Sequence, residues 1–261
     1  MLSDLVVNLS DDPILSRDLE AVVCSAVKEF MTMFPACPPA GARPIHIFYR
    51  AEGPITDSTT DPNVYRIGLA VRDRLYSQLV FQLGHELCHV FAGPRRSNWF
   101  VECCCEMVSL VLLRRTSESW ACAPPFSNWI NYAPRFKEYA EDRVRKATAA
   151  VFGSGSLPDL DQLCKWLASV SYSFRENPVD RQRNLIIAEM IRPFFEESAD
   201  NWDALRFLGQ ASIPPPVDLT DLEENSHFQF DRWFQTVPDH LKQLVRAISN
   251  VFGDKTPSDS P

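Results

Sequence analysis

Apolar positions Leu19, Val22, Val23, Val27 and Phe30 recur at helical spacing between Ser16 and Phe34, and Pro35, Pro38 and Pro39 end the pattern, which predicts a helix. Two short runs rich in β-branched and aromatic residues follow, Ile45 to Tyr49 and Tyr65 to Val71. A polar Gly/Pro/Asp/Thr stretch separates them, so they read as strands of a small sheet. From Asp73 to Ala92 the spacing is helical again, with Leu75, Leu79, Leu83, Leu87 and Phe91 on one stripe and Gly93-Pro94 as the stop. A further helix is predicted from about Trp99 to Arg115, with Ser97 and Asn98 as N-cap candidates. It is apolar almost all round, which predicts burial.

Downstream, helices are predicted over roughly Trp129 to Phe152, Leu160 to Tyr172, Val179 to Glu197 and Phe230 to Phe252, broken by Gly/Ser/Pro segments and Pro214-Pro215-Pro216. No internal repeat or low-complexity region interrupts them. The expected architecture is α+β and mostly α. A part over 1–116 carries the small sheet and two functional helices, a helical part over 117–252 packs against it, and a tail over 253–261 is expected to be disordered.

Composition narrows the function classes. With 45% hydrophobic and 23% charged residues, the 261-residue chain can bury a substantial core. A net charge of -8 and a pI near 5.2, with no basic block, argue against a nucleic-acid partner, because a phosphate backbone has to be neutralised by clustered Lys and Arg. No apolar run reaches membrane-spanning length, and the opening MLSDLVVNLSDDP lacks the charged and apolar regions of a secretory signal. Of the eight cysteines, Cys103, Cys104 and Cys105 are consecutive within a helical pattern, where they cannot build a disulfide ladder. A reducing, cytoplasmic setting is expected, with these thiols and Cys88 serving mainly as small core residues.

The candidate chemistry lies in Gly84-His85-Glu86-Leu87-Cys88-His89, an H-E-x-x-H inside a segment that independently reads as a helix. Residues four apart on a helix share a face, so the two imidazoles can converge on one metal ion, and Glu86 can reach an activated water without becoming a ligand. Zinc hydrolysis takes three protein ligands and one open position. The next helix offers Glu102 and Glu106, four apart in an otherwise apolar segment. Burying both would cost several kcal/mol unless they were paired or bound to metal. With Glu102 on the ion, Glu106 could accept the remaining N–H of His85 or His89 and fix its tautomer. The reverse assignment is also open.

On these residues the segment resembles the gluzincin group of HExxH zinc metallopeptidases, over about Leu75 to Leu113, and Trp99-x-x-Glu102 is similar to the W-x-x-E of its aminopeptidase branch. The resemblance implies a zincin-like fold, one zinc ion held by His85, His89 and Glu102, Glu106 hydrogen-bonded to a ligand His, and a peptide or protein substrate hydrolysed with Glu86 as base. Twelve residues separate His89 from Glu102, a shorter link than the best-known branches have and still long enough for an antiparallel return. In the zincin layout a sheet edge above the metal pairs with extended substrate. The strand Tyr65 to Val71 is expected to fill that role, with Gly68 permitting close backbone approach. Mid-helix Gly84 implies that something packs tightly beside it.

Other residues are less informative. An oxyanion-stabilising group is expected among Tyr132, Tyr139, Tyr172 or His240, and sequence does not choose between them. His46, His227 and His240 stand alone in their segments, and Arg95 with Arg96 fits either a solvated turn or recognition of a substrate carboxylate. The competing expectation is a non-catalytic protein in which a metal or a His/Glu hydrogen-bond cluster merely ties two helices together, with a Cys103 or Cys104 sulfur as the added ligand.

Overall fold

The computed structural model describes residues 5–34, 43–57, 63–93, 98–170, 174, 177, 179–213 and 227–253. Its architecture is α+β and mostly helical, with one small mixed sheet and a two-stranded ribbon. The expected tail, Pro214-Pro215-Pro216, Arg95, Arg96 and Tyr172 lie outside the described residues. Contacts cluster into two units, one comprising 1–91 and 108–143 and the other 92–107 and 144–261.

The first unit is built on β1 (Leu5–Asn8), α1 (Pro13–Met33), β2 (Ile45–Tyr49), β3 (Ile55–Asp57) and β4 (Tyr65–Leu69). Strand order is β1-β2-β4-β3; the first three strands are parallel and β3 is antiparallel to β4. Helix α1 supplies the crossover that parallel pairing of β1 with β2 requires. It starts on Asp12, whose carboxylate accepts from the Ile14 and Leu15 amides, and it buries Leu19, Val22, Val23, Ala26, Val27 and Phe30. Helix α2 (Tyr76–Ala92) buries Leu79, Leu83, Leu87 and Phe91. Leu75 departs from the expected stripe: it precedes the first helical turn and is 56% exposed.

Two of the four strands escaped the hydrophobic pattern. Strand β3 has three residues and follows Pro54, too short for an alternation to register. The expectation that Tyr65 to Val71 forms the sheet edge is corrected. That strand ends at Leu69 and lies between β2 and β3, so the edge on that side of the sheet is β3. Nor is Gly68 open to an incoming chain, since a Cβ there would stand 3.1 Å from Arg50 and Ile55 side-chain atoms.

Helix α3 (Trp99–Cys122) is longer than expected, and it is buried without a break from Phe100 to Leu113. Its N-cap is Asn98, whose Oδ1 accepts from the Phe100 and Val101 amides at 3.1 Å. Within the first unit α3 crosses α2 at Gly84, where an added Cβ would meet the Ser109 Cα and Leu112 Cδ2 at 3.1 Å. That close approach accounts for a glycine in mid-helix, as its cost in helix propensity implied. A 3-10 turn over Ser127–Tyr132 then leads into α4 (Ala133–Phe152), so the α-helix expected from Trp129 starts four residues later.

The second unit contains α5 (Leu160–Val170), α6 (Arg181–Glu196), a 3-10 segment Ala199–Phe207, α7 (Leu208–Ala211), the ribbon of β5 (Ser212–Ile213) and β6 (His227–Phe228), α8 (Phe230–Thr236) and α9 (Lys242–Val251). The single helix expected over Phe230 to Phe252 is divided, because Val237 turns extended before Pro238, which restricts the residue preceding it. The core here is aromatic: Phe100 packs with ring centroids 4.5 to 5.7 Å from Phe228, Phe230, Trp233 and Phe252. Among the described residues, no helix is long and apolar enough to cross a membrane.

Candidate metal centre

Helix α2 places His85 and His89 on one face, four residues apart, with ring centroids 5.0 Å apart and planes at 64°. Both rings are half-buried, so each keeps an accessible side. Glu86, turned away from that face by one residue, is 4% exposed. Its carboxylate is held by the edge strand: the Thr56 hydroxyl lies 2.8 Å from Glu86 Oε2 and 3.0 Å from the Glu86 carbonyl oxygen. Strand register explains this reach. Thr56 pairs with Ile67, which pairs with Ile47, and both isoleucines are buried, so Thr56 belongs to the inward face of the sheet.

Preceding turns of α2 fix the helix in place. Gln82 accepts a hydrogen bond from the Ala70 amide at 2.8 Å and ties α2 to the end of β4. Gln82 therefore sets the position of the helix. At the first turn, the Ser77 amide donates to the Tyr132 hydroxyl at 3.3 Å, and the Tyr132 ring packs against Tyr76, Trp120 and Phe136. Tyr132 is thus engaged at the opposite end of α2 from His89. Tyr139 meets the Phe81 ring edge-on at 6.0 Å. His46 and His240 are exposed on β2 and on the 3-10 turn Asp239–Leu241, respectively.

On α3, Glu102, Cys105, Glu106 and Ser109 share one face by helical spacing, the face whose Ser109 meets Gly84. Glu102 is 5% and Glu106 2% exposed. Cys105 is fully buried, as expected of a small core residue.

The three consecutive thiols point to different surroundings, as positions 100° apart on a helix must. Cys103 Sγ lies 3.6 Å from Asn184 Oδ1, to which its S–H donates. Burial, reinforced by the negative charges of Glu102 and Glu106, pushes its ionisation well above the ordinary range, so it remains a neutral thiol.

Two imidazole nitrogens on one helix face are donors that suit zinc. Compared with family models, curated proteins and solved structures, the chain matches none.

Proposed function

We propose that this chain is a zinc-dependent hydrolase of the HExxH type acting on a peptide or protein substrate, the chemistry of the gluzincin group that its sequence resembles. The observation that carries this reading is the pairing of two half-exposed imidazoles on one helix face with a buried carboxylate held from the sheet edge. In the proposal His85 and His89 hold one ion, Glu102 is the carboxylate ligand from α3, and Glu106 orients a ligand histidine by accepting its remaining N–H. When bound, zinc would supply Lewis acidity and a water acidified towards neutrality.

The chain's own residues do the rest. Glu86 accepts the proton of the attacking water and returns it to the departing nitrogen, which requires its carboxylate to keep one orientation throughout. Thr56 provides that orientation through its hydroxyl. Because Thr56 lies on the terminal strand of the sheet, an extended peptide pairing with β3 would run past the same carboxylate. Binding and base would then be set by a single strand.

The test is metal content and cleavage of a mixed peptide library by the wild-type chain and Glu86→Gln. The proposal expects zinc retained in both and a rate loss of at least about 10²- to 10⁴-fold in the variant. Equal cleavage by both proteins contradicts a base role for Glu86.

A further inference from the structure

We propose that Arg143 is a substrate-binding residue that takes a carboxylate of the peptide beside His85, so that the chain selects anionic peptides. The inference rests on the hydrolase reading above and names the substrate class of that site. Every residue it uses lies in the first unit. Helices α2 and α4 run side by side in the same direction. The Ser77 hydroxyl donates to the Arg135 carbonyl at 3.1 Å, and one turn further along α2 the Phe81 ring meets Tyr139 edge-on at 6.0 Å, with the Arg143 guanidinium 4.6 Å from its centroid. The next turn of α2 brings His85, four residues after Phe81 and within about 40° of it around the helix. Cα–Cβ bonds lean towards a helix N-terminus, so the His85 side chain leaves α2 on the side of the Phe81 turn. Arg143 therefore stands at the approach to the half-exposed His85 ring.

The guanidinium is prepared for an anion. Its Nε is buried with no hydrogen-bond partner, whereas Arg135 on the same helix donates to Glu138 at 2.9 Å. A buried donor without an acceptor is unfavourable, and a carboxylate would remove that cost. The Phe81 ring holds the guanidinium by a cation–π contact, which orients it without using its N–H groups. Arg143 as a whole is half-exposed, so an incoming ligand can reach it. An arginine is charged at every physiological pH, and its planar fork of donors matches a carboxylate bidentately. In a chain whose net charge of -8 repels acids at long range, a local cation of this kind is what would admit an anionic peptide. The carboxylate can come from the peptide C-terminus or from an Asp or Glu side chain, which present the same group.

The experiment titrates the full chain carrying Glu86→Gln, with and without zinc, against fluorescein-labelled tetrapeptide pools. The pools differ in one group: a free C-terminus against a C-terminal amide, and Asp or Glu present against absent. At least one kind of carboxylate-bearing pool should bind about 10- to 100-fold more tightly than the neutral pool, as a charge-assisted pair allows. Which kind it is separates the C-terminus from the side chain. Adding Arg143→Gln should abolish the preference and leave the affinity for the neutral pool unchanged. Arg143→Lys, which keeps the charge and loses the fork, should retain only part of it, and this variant carries the assignment if Arg143→Gln does not fold. Equal binding of all pools, or a preference that survives intact in both variants, overturns the inference and leaves the hydrolase proposal standing. Binding of no pool overturns it as well. An Arg143-dependent preference in a chain that neither takes up zinc nor, with Glu86 intact, cleaves peptide overturns the hydrolase proposal and leaves the carboxylate site.

Discussion

Two successive turns at the start of α3 are buried to the same degree and are chemically opposite. The first presents Phe100, fully buried against four rings at centroid distances up to 5.7 Å. The second presents Glu102, Cys105 and Glu106, each at most 5% exposed. Hydrophobic burial explains the first turn outright. It cannot explain the second, because each buried carboxylate costs several kcal/mol unless an ion or a partner offsets it. Under the proposed function the second turn serves chemistry and the first serves the core, and four substitutions can break or sharpen that contrast.

The largest effect on folding belongs to the aromatic turn. Phe100→Ala should cost about 3–5 kcal/mol in denaturant unfolding and leave the metal stoichiometry of the remaining folded protein unchanged. A loss under 1 kcal/mol would mean that the ring cluster is not the core it looks like. The acidic turn should behave in the opposite way. Glu102→Gln should cost the metal-free protein no more than about 1.5 kcal/mol, the worth of a hydrogen bond, while zinc affinity falls at least about 10- to 100-fold. Unchanged zinc affinity with a large stability loss would make Glu102 a structural acid.

A smaller effect is expected where the two helices touch. Gly84→Ala gains about 1 kcal/mol in helix propensity but drives a methyl to 3.1 Å from the Ser109 Cα, and overpacking of that kind costs about 1–3 kcal/mol. The net change in stability should be a loss of roughly 0–2 kcal/mol, accompanied by weaker metal binding as α3 shifts. Stabilisation with unaltered binding would show that the crossing does not position the site.

The smallest effect serves as a control on buried acids. Asp18 is 6% exposed, and burial pushes its carboxyl up, but hydrogen bonds from Arg17 and Arg74, both at 3.1 Å, outweigh that and hold it below the ordinary value of 3.8. A depressed carboxylate contributes stability above its unfolded pKa and loses it as pH falls through the folded value. Both arginines are more than half exposed, so solvent screens the pair and the contribution is small. Asp18→Asn should therefore flatten the acid limb of stability below about pH 4 and leave zinc binding untouched. A change in zinc affinity would connect two regions that this account keeps separate.

Much of this was legible in the residues. Helical periodicity located α1, α2 and α3, because long amphipathic or wholly apolar stretches leave little choice. Asn98 declared the start of α3 by its type and position, and Gly84 signalled its close contact by its cost in a helix. The sheet was harder to read. Strand β3 is three residues of Ile, Thr and Asp inside a polar stretch, and only tertiary pairing with β4 makes it a strand. With β3 went Thr56, whose contact with Glu86 spans thirty positions and leaves no local trace.

The central claim is that His85 and His89 jointly hold one metal ion, and equilibrium dialysis against zinc measures this most directly. The account predicts close to one zinc per wild-type chain, and a loss of high-affinity binding in both His85→Ala and His89→Ala with the fold retained. Zinc uptake that neither substitution reduces, or none by the folded wild-type chain, would contradict it.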